Sequence, residues 1–206
     1  MDNHHWLRTN DPASEPVTTA EARLQCRFDG SSNDTFLGQA IAAARTRCEE
    51  TTGRALITQT WTMTLDDWPY RSHLDGQDRH AIFLPRPPVQ SVTSVSYVDE
   101  DGDTQVLATS AYRVHLGDPV TRITPAYGTT WPTIRKVTGA ITIVSEHGYG
   151  DASTDVPDDL RQGMLMLIEH FERNRGDEVT GTVTAKFDIR SEQLFAPYRV
   201  SGVLVG

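Results

Sequence analysis

The pattern of hydrophobic and polar positions between Asp34 and Trp61 predicts a helix that is followed directly by a strand. In its first half, apolar side chains recur at i, i+3, i+4, i+7 and i+11, which places one stripe on a helix face: Leu37, Ala40, Ile41, Ala44 and Cys48. Asn33 or Ser32 is expected to cap the start of this helix. Gly53 stands where a helix ends in the left-handed conformation. Apolar and threonine side chains then alternate through Ala55–Asp66, the pattern of a half-buried strand.

The rest of the chain continues with strands and then returns to helix. Strand-like segments are predicted at Ala81–Leu84, Val89–Val98, Gln105–Leu107, Ala111–Leu116, Thr121–Pro125 and Gly139–His147. A second long helix begins after Val156, where a proline and two acids suit a first turn, and its buried face is marked by Leu160, Met164, Leu167, Ile168 and Phe171. Shorter helices are predicted after the capping box Thr18–Glu21 and at Ser191–Ala196.

This order of helices, strands and helix indicates the α+β class, because runs of one element type favour separate layers. We predict a helical layer of two long antiparallel helices plus short flanking helices, with a β-rich inserted lobe between them. The predicted domains are a flexible arm (1–16), a helical core (17–54 and 151–200), the β-rich lobe (55–150) and a C-terminal tail (201–206). The helix-packing core is expected to join Leu37, Ile41, Ala44 and Cys48 to Leu160, Met164, Leu167 and Phe171.

Charge and hydropathy restrict the partners of the chain. Its 206 residues carry a formal net charge of −9, which argues against a surface that grips nucleic-acid phosphates. No apolar run is long enough to span a membrane, and the N-terminus lacks a signal-peptide pattern. We expect a soluble chain that is synthesised inside the cell, has no membrane partner and keeps its two cysteines as free thiols.

Candidate chemistry is sparse, and a structural alternative accompanies each candidate. His4 and His5 could hold a metal loosely, but a polar arm explains them as well. The acidic run Asp99–Asp103 has its glycine too early for an EF-hand, so a hairpin tip is preferred. Cys48 lies on the apolar stripe, where a small hydrophobe packs. We therefore predict no catalytic residues, no metal, no cofactor and no enzyme activity.

Pro85–Pro88 leaves two interpretations open. It could be a polyproline ligand for a partner, or a rigid elbow between strands.

Several short motifs, in this order, resemble the head–tail connector (adaptor) family of tailed bacteriophages and gene transfer agents. They are Pro16-Val17-Thr18 with Glu21-Ala22, Ile41–Arg45 with Glu49, Thr52–Trp61, Leu84–Val92, Ala126-Tyr127-Gly128 with Trp131-Pro132, Val156-Pro157 with Leu160, Gln162, Leu167, His170 and Glu172–Arg175, and Leu194–Arg199. Together they cover residues 16–200.

The resemblance implies a structural virion protein without catalytic residues. Such adaptors form a ring, commonly of twelve copies, below the portal at the head–tail interface. The ring extends the DNA channel, so DNA passes through its lumen without specific binding. A tail-side completion or stopper protein follows it. A chain of this kind is synthesised in the bacterial cytoplasm.

A docking role is expected for the apolar C-terminal residues. We hypothesise that the portal or a neighbouring subunit is contacted by Phe195, Tyr198, Val203, Leu204 and Val205. The acidic net charge would suit a channel through which DNA must slide. Two alternatives remain open at this point: a protein-binding module of other origin, and an unrecognised hydrolase.

Overall fold

The computed structural model describes residues 4–69, 80–174 and 190–200. These residues divide into two compact units. The sheet unit contains residues 4–12, 58–69, 80–149 and Val200, and the helical unit contains residues 13–57, 150–174 and 190–199. The protein is therefore α+β, as expected from the sequence.

The sheet unit is built from two antiparallel sheets. Its strands are His4–Asn10 (β1), Gln59–Leu65 (β2), Ile82–Leu84 (β3), Val89–Val98 (β4), Thr104–Val106 (β5), Tyr112–His115 (β6), Thr121–Pro125 (β7) and Ile141–His147 (β8). One sheet has the order β1-β2-β8-β4-β5, and the other has the order β3-β7-β6. All neighbouring strands are antiparallel.

Both sheets contribute to the core of this unit. On β2 and β8 the buried positions alternate with half-buried ones, so each strand turns one face inward. The core is formed by Met63, Leu65, Ile82, Leu84, Val89, Val95, Tyr112, Ile123, Ile141 and Ile143. The opposite face of β2 presents the threonines, which explains the alternation seen in the sequence.

Strand β1 corrects the expectation of a flexible arm over residues 1–16. His4–Asn10 pairs with β2 in antiparallel register, with Trp6 opposite Met63. Only Trp6 and Arg8 are half-buried, and the other five positions are exposed. An edge strand that hides one tryptophan and one arginine lacks the regular apolar alternation, so its sequence looks like a polar arm.

The helical unit contains four α-helices: Thr19–Gln25 (α1), Asp34–Thr52 (α2), Asp158–Arg173 (α3) and Arg190–Phe195 (α4). Thr18 and Glu21 form the predicted capping box of α1. Gly53 ends α2 with φ of 70°, in the left-handed conformation. Asn33 occupies the N-cap position of α2 but makes no side-chain capping bond, and its amide nitrogen donates to Ser32 Oγ at 3.5 Å.

Helices α2 and α3 pack against each other and against α1 and α4. The predicted stripe of α2 is buried at Leu37, Ile41, Ala44 and Cys48, and that of α3 at Leu160, Met164 and Leu167. Phe171, in the last turn of α3, is only half-buried, whereas Gly163 and Ile168 are buried in addition to the predicted residues. The pairing of individual side chains between the two stripes stays a prediction.

The corner where α2 ends at Gly53 and the chain continues toward β2 belongs to the helical unit as far as Ile57. Ala55, Leu56 and Ile57 are buried but precede the strand, which begins at Gln59. Ile57 forms an isolated parallel bridge with Gly150. The boundary between the units therefore falls at residues 57/58 and 149/150, rather than at 54/55 and 150/151.

Candidate functional site

A serine and a histidine on β8 lie within hydrogen-bond distance, which is the geometry of a catalytic pair. Ser145 Oγ is 2.8 Å from His147 Nε2, and His147 Nδ1 is 2.9 Å from the carbonyl oxygen of Arg86. A carbonyl oxygen only accepts, so Nδ1 carries the proton and Nε2 accepts the hydroxyl of Ser145. The sheet therefore holds a neutral imidazole with both nitrogens satisfied.

Burial decides against catalysis by this pair. Ser145 and His147 are both fully buried, so no substrate can reach the hydroxyl. Loss of hydration lowers the pKa of His147 to about 4, and the nearby Arg86 charge acts in the same direction. A base with that pKa is weak at neutral pH. The pair is a packing element of the sheet.

Aromatic rings surround this histidine and attach β1 to the sheet. Trp6 stacks on Trp61 with ring centroids 5.6 Å apart, and His147 meets the Trp6 ring edge-on at 5.6 Å. The guanidinium carbon of Arg86 lies 4.8 Å from the centroid of Trp61, in cation–π geometry. Trp6 is thus the anchor of an otherwise exposed strand.

Arg86 also decides between the two interpretations of Pro85–Pro88. Its φ of 58° lies in the left-handed region, which interrupts a polyproline II helix. Its carbonyl oxygen is bonded to His147 and its side chain covers Trp61. The segment is therefore an elbow that is fixed to the core of the sheet unit.

The corner of the helical unit contains a buried ion network. Glu49 accepts from Arg45 Nη1 at 3.4 Å and from the backbone N–H of Leu56 at 3.1 Å. Arg45 Nε also donates to Glu15 at 2.8 Å. One carboxylate thus links the last turns of α2 to the segment that leaves it. This network fixes the corner and leaves no carboxylate free for acid–base chemistry.

The other side chains considered for catalysis or metal binding are either hydrogen-bonded within the protein or unreactive. Burial raises the pKa of the Cys48 thiol, with a contribution from the Glu49 charge, so its reactive thiolate is disfavoured. At the acidic hairpin, Asp99 bonds to Gln105 and to three backbone N–H groups, which together lower its pKa. Within residues 4–69, 80–174 and 190–200, no group of three or more His, Cys, Asp or Glu side chains could hold a metal ion.

A shallow groove of about 330 Å³ lies on the helical unit, between α2 and the segments 14–19 and 151–153. Val17 and Ile41 form its apolar floor, and hydroxyl groups of Ser14 and Ser153 line its rim. Glu15, its one paired carboxylate, is held by Arg45. The groove therefore resembles a packing surface more than a reaction site.

The structure places the predicted interface residues differently from one another. Phe195 is fully buried, and its ring lies against Gly163 of α3, so it belongs to the core and not to an interface. Tyr198 is half-buried, and its carbonyl oxygen accepts from Arg54 Nε at 2.7 Å. Burial and the hydrogen-bonded carboxylate of Asp159 raise the pKa of its phenol. Val203, Leu204 and Val205 lie outside the described residues.

Exposed hydrophobic side chains are concentrated in the sheet unit. Among the described residues, the large exposed hydrophobics there are Leu7, Val106, Leu116, Tyr127 and Val137, whereas the helical unit exposes Leu24. Tyr127 is 91% exposed on a turn that is fixed by the bond from Ala126 N–H to the carbonyl of Ala111. The Tyr-Gly pair in a loop was the only sequence signal for it.

No helix in the described part of the chain has both the length and the hydrophobicity needed to cross a membrane.

Comparison with known proteins identifies the fold. The chain matches no protein-family model, and no curated protein sequence is similar to it. Among solved structures, a chain in the neck of an empty gene transfer agent particle, computed with C6 symmetry, is similar at 24% identity with a TM-score of 0.77. The similarity covers 98% of each chain.

Two further structures are similar over nearly the whole chain. One is the virion of a native gene transfer agent particle, with 24% identity, a TM-score of 0.71 and 98% of each chain covered. The other is the neck of a native particle computed with C12 symmetry, with 24% identity, a TM-score of 0.64, and 96% and 98% of the two chains covered. The resemblance noted in the sequence therefore holds at the level of the fold, across both units.

Proposed function

We propose that this chain is a structural head–tail adaptor of a tailed phage or phage-like particle. It would form a ring below the portal, extend the DNA channel and join the capsid to the tail. The observation that carries the proposal is the full-length fold similarity to a chain in a gene transfer agent neck, with 98% of both chains covered. A match that includes both units leaves little of the chain for another role.

The proposal assigns partners on each side of the ring. The portal protein lies on the capsid side, a completion or stopper protein on the tail side, and identical subunits, commonly twelve, within the ring. The C6 and C12 symmetry of the similar neck structures supports a cyclic arrangement. The net charge of −9 suits a lumen through which DNA slides without specific binding.

In this proposal each unit has its own task. The two longest helices, α2 and α3, are an antiparallel pair in the ring-forming layer, and the sheet unit is the lobe that the layer carries. The protein is synthesised in the bacterial cytoplasm and becomes part of the virion at the head–tail interface. Its action is assembly, and the buried Ser145–His147 pair gives no support to the hydrolase alternative.

The direct test is assembly with the portal protein of the same particle. We expect the mixture to yield a ring of this protein on the portal, observed by negative-stain electron microscopy and by the mass of the complex. A monomer alone does not decide, because docking can precede ring formation. A chain that stays monomeric and unbound at saturating portal concentration contradicts the proposal.

The C-terminal residues provide a second test. Tyr198, Val203, Leu204 and Val205 remain proposed contacts with the portal or a neighbouring subunit. We expect deletion after Tyr198 to abolish attachment of tails to filled heads. Replacing Val203, Leu204 and Val205 by serine is the matched control that keeps the length of the chain. Normal attachment with both variants removes the tail from the interface.

A further inference from the structure

The five-stranded sheet ends in two edge strands whose outer sides pair with no other described strand. Strand β1 pairs only with β2, and β5 pairs only with β4. Each outer edge therefore presents a row of backbone N–H and C=O groups that can pair with another chain. β1 has seven residues and contains no proline, so it lacks a common protection against such pairing.

Each edge also carries one large exposed hydrophobic side chain. Leu7 on β1 is 54% exposed, and Val106 on β5 is 72% exposed. The register places both on the same face of the sheet. Leu7 lies opposite Thr62 on β2. From Val106, the residues directly opposite one another across the sheet are Ser96 on β4, Thr142 on β8 and Thr64 on β2. Thr62 and Thr64 share a face because they are two residues apart on β2.

The two edges differ in charge. Between His4 and Asn10, β1 contains two histidines and Arg8, whose guanidinium pairs with Asp11 at 2.8 Å just beyond the strand. The hairpin that joins β4 to β5 contains Asp99, Glu100, Asp101 and Asp103 and no base. Pairing of two β5 edges would bring the four acids of one copy against those of another. A contact between two like edges is also isologous and joins only two copies, so a cyclic arrangement requires the unlike pair.

We infer that the β1 edge of one copy pairs with the β5 edge of the next copy, so that the sheets of neighbouring copies become continuous. This inference rests on the proposed function, since it adds a contact between the sheet units of neighbouring copies to the ring formed by the helical layer. Such a contact is heterologous, and its repetition gives a closed ring when the rotation between copies divides a full turn. The four neighbouring strand pairs from β1 to β5 are all antiparallel, so β1 and β5 run in the same direction. If neighbouring copies are related by a rotation about the strand direction, the β1 edge of one copy therefore pairs in parallel with the β5 edge of the next.

Cysteine cross-linking tests this contact in the assembled ring. The double variant Leu7→Cys, Val106→Cys is prepared in a Cys26→Ser background, since the thiol of Cys26 is only half-buried and could react with the cross-linker. After assembly on the portal, a short bismaleimide should join neighbouring copies. We expect a ladder of trimers and larger covalent species of this chain on a denaturing gel. The matched control, Leu7→Cys with Leu116→Cys, keeps an exposed second thiol that lies on neither edge strand.

The outcomes separate this inference from the proposed function. Rings on the portal without a ladder above the control overturn the edge contact and leave the adaptor role intact. A ladder without portal binding supports the edge contact and contradicts the adaptor role. Dimers from Val106→Cys alone would indicate that like edges pair, which also overturns the inference. A chain that forms neither rings nor ladders overturns both.

Charge reversal tests the same contact without added thiols. We expect Glu100→Lys with Asp101→Lys to weaken ring assembly roughly tenfold at low ionic strength, with the effect shrinking as salt is added. Asp29→Lys with Glu50→Lys changes the net charge equally but away from the hairpin, and should weaken assembly less. Equal behaviour of the two double variants contradicts a contact made by the acidic hairpin.

Discussion

Among the described residues, the sheet unit exposes five large hydrophobic side chains and the helical unit exposes one, Leu24. The helical unit turns even the ring of Phe195, close to the C-terminal end of the described chain, onto Gly163 in its core. The sheet unit leaves Leu7, Val106 and Tyr127 in solvent. A small helical bundle can close its core on all sides, whereas an open sheet must end in two edges. Exposed edges and loops of the sheet unit are thus better interface candidates than Phe195.

Phe195→Ala should have the largest effect among the variants that test this difference between the two units. If Phe195 belongs to the core, its truncation leaves a cavity and should cost about 3–5 kcal/mol of unfolding free energy. Chemical denaturation followed by circular dichroism measures that loss. If Phe195 were an interface residue, the same variant would keep its stability and lose portal binding.

Gly163 gives the complementary test for the same contact. A Cβ built on Gly163 would lie 3.0 Å from the Phe195 Cζ atom, and the Cε1 atom would be closer still. Gly163→Ala should therefore destabilise wild type, and combining it with Phe195→Leu should cost less than the sum of the two single effects. Strict additivity of the two effects would indicate that the Phe195 side chain does not contact Gly163.

Glu49→Ala tests how the helical unit fixes its corner. The variant removes the acceptor of the Leu56 N–H and one partner of the buried Arg45. We expect a loss of about 3 kcal/mol, since an uncompensated buried group is costly but Arg45 keeps Glu15. Glu49→Gln keeps an acceptor for Leu56 and should lose less. Equal losses for the two variants would assign the whole effect to the charge.

His147 tests the sheet unit through its response to acid. Its folded pKa of about 4 lies below the ordinary value of 6.5, so the unfolded chain takes up the proton first as the pH falls. The contribution of neutral His147 to the free energy of unfolding is therefore complete above pH 6.5 and is lost progressively as the pH falls to about 4. Between pH 6.5 and 5 the loss should be about 2 kcal/mol, since each unit corresponds to 1.36 kcal/mol.

The control for this titration is His147→Gln, which removes the ionisable ring. Unfolding free energies of both proteins are measured across pH 5 to 7. The difference between them should shrink toward acid pH, because only the wild type carries the histidine penalty. Parallel pH profiles would mean that other groups produce the acid response.

Local signals predicted the elements well, because each depends on nearby residues. The spacing of Leu37 through Cys48, the left-handed Gly53 and the capping box at Thr18 each correspond to an observed feature. Strand β1 was missed because an edge strand buries few side chains, so no alternation of apolar residues marks it.

Features set by distant packing could not be predicted from the sequence. The interface assignment of Phe195 failed because burial depends on Gly163, more than thirty residues away. The Ser145–His147–Arg86 cluster was missed for the same reason, since the elbow and β8 meet only in the folded sheet. Pairing of the sheet edges between copies likewise depends on contacts between chains, which the sequence pattern of one chain does not predict.

Tyr127→Ser tests the exposed side of the comparison and should have the smallest effect on stability. Its side chain is 91% exposed, so the unfolding free energy should change by less than about 0.5 kcal/mol. Tyr112, in strand β6 of the same unit, is 6% exposed and is the matched control. Tyr112→Ser should lose about 3 kcal/mol, because it opens a cavity in the core. If Tyr127 contacts a partner in the assembled ring, Tyr127→Ser weakens assembly at least about tenfold while its denaturation curve stays unchanged. Unchanged assembly would exclude Tyr127 from the interface between copies, because an exposed tyrosine without a partner contributes little to folding or to association.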